Sequence, residues 1–460
     1  MNPPPPHIVF AGGGTGGHLF PGLAVAERLV ADDPQTRITF AGTGREFERR
    51  HVKAAGFDYL ALRCRPWPER LRDALAFLLD NIAGYRAARR FLAEQGVRVV
   101  VGLGGYASAA MAKAAARRGL PLVLLEQNAV PGRATRWLAG SATLICTTFA
   151  QAHRHLHARC HVRVTGNPLR PGFGRLEGPK TPSHAGSGRT RQLLILGGSG
   201  GAQSLNENVP KALLQVRSRL AGWRIVHQSG PAQVEATREL YRLLRLRAQV
   251  GSFVTNMAAT LRETDLAICR AGGTTLAELA AAGVPAILLP YRYAADDHQR
   301  RNADIFAAAG ACVVLDEREV NGRLDYRLAD TLLPLLMDRA ERAAMSAAIR
   351  RLAHPDATWD VATLIRQLAG CPSIGSASVA SHLTEEGVKQ PVCRGLGQPS
   401  RIVLEGDGQT AGIGAHGKRR AGARPNGGQD VGGVQQEIPG DQSSALARQQ
   451  AGGERFPHVR

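Results

Sequence analysis

The chain has 460 residues, 44% of them hydrophobic and 21% charged, which is typical of a globular protein of two or three domains. No apolar run approaches the roughly 18 residues that a membrane-spanning helix needs, so we expect no transmembrane segment. The formal net charge of +20 indicates an anionic partner (nucleic acid, an anionic membrane or a phosphorylated substrate), although an arginine-rich composition alone could produce it.

The first predicted unit is a strand, a glycine-rich turn and a helix. The apolar residues 7–11 precede GGGTGGH at residues 12–18, and residues 19–30 have the pattern of a helix with Pro21 in its first turn. Glycines let a backbone approach a phosphate, and a helix N-terminus adds partial positive charge. The next strand, residues 37–41, has no acidic residue at its end to bind a ribose, which argues against a dinucleotide-dependent dehydrogenase.

Residues 71–91 form a predicted helix that has two interpretations. Its apolar residues recur at helical spacing: Leu71, Leu75, Leu78, Leu79 and Ile82. The arginines around this stripe, with Trp67 nearby, are Arg63, Arg65, Arg70, Arg72, Arg86, Arg89 and Arg90. The stripe could face the core beneath a solvated basic face, or it could insert into lipid while the arginines bind anionic headgroups.

Polar residues follow the remaining strands of the first half. Residues 97–103 end at Gly104-Gly105-Tyr106, and residues 121–125 end at Glu126-Gln127-Asn128. Burying three consecutive polar side chains without hydrogen bonds is costly, so we expect them to face a cleft. A helix is predicted at residues 109–118, and strands at residues 144–147 and 162–165.

The pattern begins again after residues 175–192, whose Gly, Pro, Ser and Arg content predicts an interdomain linker. A strand, a glycine turn and a helix are predicted at residues 193–196, 197–201 and 202–216. Further strands are predicted at residues 223–228, 250–254, 266–268, 286–289 and 312–315, and helices at residues 330–351 and 359–368. Two such halves predict two α/β domains that face each other across a cleft.

The unit at residues 265–302 carries the clearest candidate site of the second half. A strand leads into AGGTT at residues 271–275, a helix at residues 276–282 closes at Gly283, and a second strand opens a polar loop at residues 296–302. In parallel sheets, ligands bind beyond the carboxyl ends of the strands. The glycine turn therefore predicts a phosphate or sugar contact, with Glu278 one turn into the helix and His298 and Gln299 on the following loop.

Residues 371–460 differ in composition from the rest of the chain. Gly, Gln, Ser and Arg dominate there and cannot form a core, so we expect a disordered tail, either a basic appendage or a frame-shifted end. The seven cysteines of the chain form no CxxC motif, which indicates a reducing compartment.

The absence of H-E-x-x-H, CxxC and D-x-D motifs argues against a catalytic metal, and we expect no cofactor. Two α/β halves with several glycine turns suit an enzyme that acts on a nucleotide sugar. Such an enzyme can stabilise a diphosphate leaving group with backbone N–H groups, a helix dipole and an arginine.

Taken together, these motifs resemble the MurG family, the UDP-GlcNAc-dependent N-acetylglucosaminyltransferases of bacterial peptidoglycan synthesis. The matching segments include GGGTGGHLFPGLAVAERL (residues 12–29), VGLGGYAS (101–108), EQNAVPGRATRWLA (126–139), TGNPLR (165–170), LGGSGGAQSLN (196–206), HQSG (227–230), CRAGGTTLAELAAAGVPAILLPY (269–291) and DDHQRRNA (296–303). They span about residues 7–368 in family order.

The resemblance implies a GT-B fold, in which two Rossmann-like domains face a central cleft. It assigns residues 1–174 to the acceptor and membrane-association domain, 175–192 to the linker and 193–354 to the UDP-GlcNAc domain. Residues 355–370 would form a helix that crosses back to the first domain, and residues 371–460 have no counterpart.

The implied reaction transfers GlcNAc from UDP-GlcNAc to the C4 hydroxyl of MurNAc in lipid I, with inversion, and gives lipid II. The implied location is peripheral, on the cytoplasmic side of the cell membrane. The expected partners are UDP-GlcNAc, lipid I, an anionic membrane surface and other cell-wall synthesis proteins. Nucleic acid is not expected.

The resemblance also implies roles for individual residues. The UDP-GlcNAc contacts would be Thr15, Gly16, Gly17, Asn128, Arg170, Ser199, Val254, Gly273, Thr274, Thr275, Glu278, His298 and Gln299. The acceptor diphosphate contacts would be Gly13, Gly14, Gly104, Gly105 and Tyr106. His18 is expected to be the general base, because a neutral histidine suits deprotonation near pH 7, and Glu126 is the competing candidate. Alternatively, His18 could only cap its helix and Glu126 could only fix its loop.

The sequence departs from the family pattern at three places. Leu125 stands where many members have His, Ser108-Ala109-Ala110 replaces Ser-Gly-Pro, and His298-Gln299 replaces two glutamines. Other interpretations are a GT-B transferase with another acceptor or a UDP-GlcNAc 2-epimerase. A nucleic-acid binder fits the charge, but no nucleic-acid-binding motif is present.

Overall fold

Two parallel β-sheets, each covered by helices, form the fold. The computed structural model describes residues 5–68, 70–156, 161–173, 190–319 and 322–370, all within one compact unit. The strands of the first sheet are β1 (His7–Ala11), β2 (Arg37–Gly42), β3 (Asp58–Ala61), β4 (Val97–Gly102), β5 (Leu122–Glu126), β6 (Leu144–Thr147) and β7 (His161–Val164). Their order in space is β3-β2-β1-β4-β5-β6-β7.

The second sheet repeats this topology with one strand fewer among the described residues. Its strands are β8 (Arg191–Leu196), β9 (Trp223–Gln228), β10 (Gln249–Gly251), β11 (Leu266–Cys269), β12 (Ala286–Leu288) and β13 (Cys312–Val314), in the order β10-β9-β8-β11-β12-β13. Strand order reverses between β1 and β4 and again between β8 and β11. Ligands of open parallel sheets bind at such reversals, beyond the carboxyl ends of the strands. The predicted pair of Rossmann-like halves is confirmed.

Helices connect the strands and cover both faces of each sheet. In the first half they are α1 (Gly16–Asp32), α2 (Glu46–Ala54), α3 (Ala74–Glu94), α4 (Ala109–Arg117) and α5 (Arg133–Leu138). In the second half they are α6 (Gln203–Gln215), α7 (Val234–Leu243), α8 (Met257–Glu263), α9 (Gly273–Ala282), α10 (His298–Ala308), α11 (Leu324–Met337), α12 (Arg339–Arg350) and α13 (Ala357–Leu368).

The structure differs from the predicted elements in several places. The single helix predicted at residues 330–351 is two helices, because the Asp338 carboxylate accepts a hydrogen bond from the Glu341 N–H and begins α12. Residues 298–302 of the polar loop predicted at residues 296–302 lie in α10. Two residues of the predicted linker, Arg191 and Gln192, belong to β8, whereas residues 174–189 and the tail at residues 371–460 lie outside the described residues.

The apolar stripe of α3 does not face the core. The helix buries Gly84, Ala88 and Leu92 instead, and a Cβ at Gly84 would lie 2.1 Å from the Arg63 carbonyl oxygen. Leu75 is 66% exposed and Leu79 is 59% exposed. The interpretation of this stripe as core-facing is therefore wrong.

The last helix returns to the first half. Val361, Ala362 and Ile365 of α13 are fully buried in the core beneath α1. An ion pair of 3.6 Å joins Arg366 to Asp32 at the end of α1. None of the helices in the described part of the chain has the length and apolarity needed to cross a membrane.

Candidate active site

The first glycine turn, between β1 and α1, is held by a buried carboxylate. Glu48 of α2 is fully buried, and its Oε1 accepts a hydrogen bond of 2.6 Å from the Gly14 N–H. Its Oε2 accepts from the Thr43 N–H at 2.9 Å and from the Tyr59 hydroxyl. Gly13 has a φ of 150°, and a Cβ there would lie 2.8 Å from Glu48 Oε1, so the turn requires glycine. The Gly14 amide is thus bonded to Glu48, a residue that sequence reasoning missed.

His18 lies at the start of α1, between the two glycine turns of the first half. Its Nδ1 is 3.1 Å from the Thr15 hydroxyl, and a Cβ at Gly104 would lie 3.3 Å from its Nε2. Burial, with a smaller contribution from nearby His298, lowers the pKa of His18 to about 4. The imidazole is therefore neutral at pH 7, and Nε2 faces the turn after β4.

An arginine that sequence reasoning missed joins the two glycine turns. Arg45, just before α2, donates from Nη2 to the Tyr106 hydroxyl at 3.1 Å and from Nη1 to the Gly14 carbonyl at 3.4 Å. Gly104 and Gly105 have φ values of 94° and 70°, so the turn between β4 and α4 also depends on glycine. An exposed guanidinium thus lies over both turns for which the family resemblance implies contact with the acceptor diphosphate.

Glu126, the competing base candidate, is buried at the end of β5 and bonded within its own loop. Its Oε1 accepts from the Asn128 N–H at 3.0 Å, and its Oε2 accepts from the Gly132 N–H at 3.0 Å. The Thr135 hydroxyl adds a further hydrogen bond. Burial raises the pKa of Glu126, and these hydrogen bonds oppose the rise. Both oxygens of the carboxylate therefore hold the loop after β5.

The N-terminus of α9 contacts the first half directly. A Cβ at Gly273 would lie 2.0 Å from the Gln127 carbonyl oxygen, so the two backbones meet at a point where only glycine fits. The Thr274 hydroxyl donates to the Gly17 carbonyl at 2.8 Å. These contacts bring the predicted phosphate-binding turn of the second half to the start of α1, next to His18.

Arg170 and Glu278 form a shielded ion pair in the cleft. Arg170 donates to Glu278 Oε1 from Nε at 2.8 Å and from Nη2 at 2.7 Å, and their side chains are 18% and 4% exposed. The guanidinium also stacks over the Phe20 ring of α1 at 4.7 Å. Burial raises the pKa of Glu278, and the charge of Arg170 opposes this rise. Arg170 and Glu278, the residues predicted to bind the diphosphate and the ribose, thus contact each other.

Asn302 of α10 connects three segments of the site, a role that the sequence analysis did not predict. Its Oδ1 accepts from the Ala129 N–H at 2.8 Å, and its Nδ2 donates to Asn128 Oδ1 at 3.0 Å and to the Ala271 carbonyl at 3.1 Å. The side chain is fully buried. Asn128, which is predicted to bind the sugar, is therefore held against α10, a helix of the other half.

His298 and Gln299 begin α10 and face the loop before it. His298 Nδ1 is 2.8 Å from the Ala295 carbonyl, and Gln299 Oε1 accepts from the Tyr291 N–H at 2.9 Å. Asp296 and Asp297 both have a φ of 53°, an uncommon conformation for residues other than glycine. This turn fixes where α10 begins and so fixes the positions of His298 and Gln299.

Gln228, at the end of β9, links two further predicted contacts. Its Nε2 donates to the Gly198 carbonyl, next to Ser199, at 2.8 Å, and its Oε1 accepts from the Val254 N–H at 3.0 Å. The amide of Val254, the residue predicted to contact the uracil, is therefore bonded within the protein. Thr275, one residue beyond Thr274, is half-buried in the first turn of α9.

The site thus combines a neutral imidazole, a helix N-terminus and two guanidinium groups around one cleft. A neutral imidazole can accept a proton, and the other groups can stabilise the negative charge of a leaving diphosphate. Within the described ranges, no cluster of three or more His, Cys, Asp or Glu side chains could hold a metal ion.

Comparison with known families identifies both halves. The model of the glycosyltransferase family 28 N-terminal domain matches residues 8–147, and that of the family 28 C-terminal domain matches residues 192–360. A protein of Methylococcus capsulatus is 39% identical over 367 residues, which cover 79% of this chain and 99% of that protein. It is named UDP-N-acetylglucosamine–N-acetylmuramyl-(pentapeptide) pyrophosphoryl-undecaprenol N-acetylglucosamine transferase.

Solved structures agree with this assignment. The crystal structure of Acinetobacter baumannii MurG matches with a TM-score of 0.60 and 31% identity, over 79% of this chain and 100% of that one. A UDP-N-acetylglucosamine 2-epimerase matches with a TM-score of 0.55 but only 14% identity, over 81% of this chain, and shares the fold alone. The chain belongs to the MurG family, within glycosyltransferase family 28.

Proposed function

We propose that this protein transfers GlcNAc from UDP-GlcNAc to the C4 hydroxyl of MurNAc in lipid I and so produces lipid II for peptidoglycan synthesis. The observation that carries the proposal is the position of His18, which lies between the glycine turns of the acceptor half, directly after Gly17, whose carbonyl accepts a hydrogen bond from Thr274 in the first turn of α9. The name of the 39% identical relative supports the substrate class.

In the proposed reaction, His18 Nε2 accepts the proton of the C4 hydroxyl while that oxygen attacks C1 of GlcNAc. The bond between C1 and the UDP oxygen breaks, and UDP leaves from the opposite face, so the anomeric centre inverts. Nε2 must carry a lone pair for this step. That tautomer places the proton on Nδ1, where it donates to the Thr15 hydroxyl at 3.1 Å. Thr15 therefore acts as a positioning residue.

Glu126 serves in this proposal as the organiser of its loop. Both carboxylate oxygens already accept hydrogen bonds from loop N–H groups. Using one of them as a base would leave a buried donor without a partner, which costs about 1–3 kcal/mol. This geometry favours His18 as the base.

The leaving UDP would be stabilised by the first turn of α9 and by a cation. Backbone N–H groups at Gly273 and Thr275, together with the helix dipole, would bind the phosphates, with Ser199 at their approach. Arg170, already in the cleft, would supply positive charge. Glu278, once its partner turns to the phosphates, would accept hydrogen bonds from the ribose hydroxyls.

The remaining donor contacts follow from the same arrangement. Val254 would meet the uracil edge through its backbone. Asn128, His298 and Gln299 lie around the place where α10 meets the loop after β5, and would bind the GlcNAc hydroxyls. Asn302 joins these elements and would hold their spacing.

The acceptor diphosphate would bind over the two glycine turns of the first half. The Gly14 amide is bonded to Glu48, so much of the attraction for the diphosphate must come from other groups. Arg45 is an exposed cation that contacts both turns, and we assign it to the diphosphate together with Tyr106 and the turn at Gly104.

A surface on the same half would bring the enzyme to its lipid substrate. The α3 surface, made of Trp67, Leu75, Leu78, Leu79 and Ile82, is exposed and is flanked by arginines of residues 63–90. Trp67 is 77% exposed, and its ring contacts Phe77 at 5.4 Å. An apolar surface with a basic margin suits an anionic membrane, and we place the protein on the cytoplasmic side of the cell membrane, near other cell-wall synthesis proteins.

The decisive experiment incubates the protein with UDP-GlcNAc and a lipid I analogue and identifies the products by mass spectrometry and NMR. We expect a β-1,4-linked disaccharide in amounts equal to the UDP released. Release of UDP without a disaccharide would contradict the proposal. Formation of the 2-epimer of GlcNAc without an acceptor would instead support the epimerase interpretation.

A further inference from the structure

A proline inside α1 leaves one backbone carbonyl without its usual partner. In an α-helix the N–H of residue 21 would donate to the carbonyl of residue 17, but Pro21 has no N–H. The Gly17 carbonyl instead accepts a hydrogen bond of 2.8 Å from the Thr274 hydroxyl of the other half. The hydrogen bond that Pro21 cannot donate to the Gly17 carbonyl is therefore replaced by one that Thr274 donates from across the cleft.

This bond lies at a decisive position in the proposed mechanism. Gly17 directly precedes His18, and Thr274 is in the first turn of α9, which would bind the UDP diphosphate. The Thr274 oxygen also accepts from Asn167 Nδ2 at 3.3 Å, next to the segment that carries Arg170. The hydroxyl thus connects the donor side of the cleft to the turn that presents His18.

The hydroxyl proton of Thr274 can be donated to one acceptor at a time. Because it is donated to Gly17, the phosphates of a bound nucleotide would be left to the backbone N–H groups of α9. The close approach of Gly273 to the Gln127 carbonyl, at the preceding residue, prevents α9 from moving nearer to the first half. Together the two contacts define the spacing between α9 and α1.

We propose that Thr274 is a positioning residue that couples occupancy of the UDP-GlcNAc site to the orientation of His18, and that Pro21 keeps the Gly17 carbonyl available to it. This inference rests on the proposed function, because it takes His18 as the base and α9 as the phosphate-binding helix. Diphosphate bound at α9 fixes Thr274, and Thr274 then holds the first turn of α1 in the orientation that transfer requires.

The first test measures kcat and both KM values for T274V, T274S and P21A and for the double variant P21A/T274V. T274V keeps the shape of the side chain but loses the hydroxyl, and we expect kcat to fall about fivefold, the effect of one neutral hydrogen bond. The KM for UDP-GlcNAc should stay within about twofold, since the phosphates contact the backbone. T274S should restore kcat.

The P21A background separates this role from simple packing. The P21A substitution supplies the backbone N–H that Pro21 lacks, so the Gly17 carbonyl gains a partner within its own helix. T274V should then lower kcat by less than about twofold. The matched control is T331V, which removes a hydroxyl that bonds to Arg327 within α11 and should leave kcat unchanged. A wild-type kcat in T274V, or an equal loss with and without Pro21, would overturn the proposal.

Hydrogen–deuterium exchange provides a test that needs no acceptor. In the wild-type protein, UDP-GlcNAc should slow exchange in the first turn of α1, residues 16–20. In T274V that slowing should disappear while calorimetry still detects UDP-GlcNAc binding. Slowing that persists in T274V, or is absent from the wild type, would refute the coupling. Slowing without any disaccharide product would keep the coupling and contradict the proposed acceptor.

Discussion

The two halves share a topology but bond their buried carboxylates differently. In the first half, Glu48 and Glu126 accept hydrogen bonds from backbone N–H groups of glycine-containing loops. In the second half and at its border, carboxylates pair with arginines: Glu278 with Arg170, and Asp316 with Arg300, each at 2.7 Å. The first arrangement fixes a backbone, whereas the second neutralises a charge.

This difference separates groups that shape the site from groups that can exchange partners. A carboxylate bonded to several backbone amides cannot leave them without exposing buried donors, so it holds one geometry. An arginine and a carboxylate in a cleft can each turn to a ligand, the guanidinium to a phosphate and the carboxylate to a hydroxyl. The acceptor half therefore supplies rigid turns, and the Arg170–Glu278 pair, which joins the two halves, supplies exchangeable charges.

The largest expected effect is that of replacing His18, the proposed general base of the first half. H18A should lower kcat by roughly a hundredfold to ten-thousandfold, the range for loss of a general base. Steady-state rates with saturating UDP-GlcNAc and a lipid I analogue measure it. H155A removes an exposed histidine of the same half and should have wild-type rates. Comparable rates in H18A and the wild type would remove His18 from the mechanism.

The pH dependence of kcat/KM gives the same assignment independently. Burial lowers the pKa of His18 to about 4, so its neutral, proton-accepting form is already dominant at pH 5. The rate should stay level from about pH 8 to pH 5 and fall as the pH passes through about 4. A fall near pH 6.5 would indicate an ordinary histidine. Because burial raises the pKa of Glu126 above 4.5, Glu126 as the base would give a fall above that value.

E278Q tests whether Arg170 and Glu278 exchange their contact with each other for contacts with a bound ligand. Glutamine keeps the size of the side chain but removes the negative charge of the carboxylate. That carboxylate pairs with Arg170 and would accept hydrogen bonds from the ribose hydroxyls. Hydrogen bonds to charged groups contribute about 1.5–3 kcal/mol, so UDP-GlcNAc affinity should fall about tenfold to a hundredfold. Calorimetry measures this fall.

E263Q is the matched control for E278Q. Glu263 pairs with Arg224 on the exposed surface of the same half, and E263Q makes the same chemical change there. Its UDP-GlcNAc affinity should match the wild type, since exposed ion pairs contribute little. Equal affinities for E278Q and the wild type would show that the Arg170–Glu278 pair is purely structural.

Sequence patterns predicted the strands well because their signal is local. Most described strands of both sheets are short apolar runs that end at glycine or polar turns, and their predicted ends lie within two residues of the observed ones, whereas β3 was not predicted. The prediction for β10 ran to residue 254, but pairing with β9 ends at Gly251. For α3, periodicity grouped the leucines on one face but could not say whether that face was covered. The close approach of Gly84 to the Arg63 carbonyl decides this.

The site was only partly predictable because its connections are long-range. The glycine turns and His18 are visible as motifs, since each is formed by consecutive residues. Asn302 bonds to Ala129, which is 173 residues away in the chain, and Glu48 bonds to Gly14, which is 34 residues away. No local pattern marks such pairs. Arg45 was likewise missed, because its two partners come together only when β2 and β4 lie beside β1.

The smallest expected effect compares exposed leucines of the two halves. Leu79 on the α3 surface is 59% exposed, and Leu243 at the end of α7 is 63% exposed. L79S should weaken binding to vesicles of anionic lipid about fivefold, because a leucine partly transferred from water to lipid contributes about 1 kcal/mol. L243S makes the same change outside that surface and should bind like the wild type. Co-sedimentation at several lipid concentrations measures both.

The same comparison distinguishes lipid insertion from charge attraction alone. If arginines near α3 were the whole source of binding, L79S and L243S would bind equally, and added salt would abolish binding in both. If the apolar stripe inserts, L79S should differ from L243S at every salt concentration, since the transfer of a leucine does not depend on ionic screening. Equal binding of the two variants at all concentrations would refute the assignment of the α3 surface to the membrane.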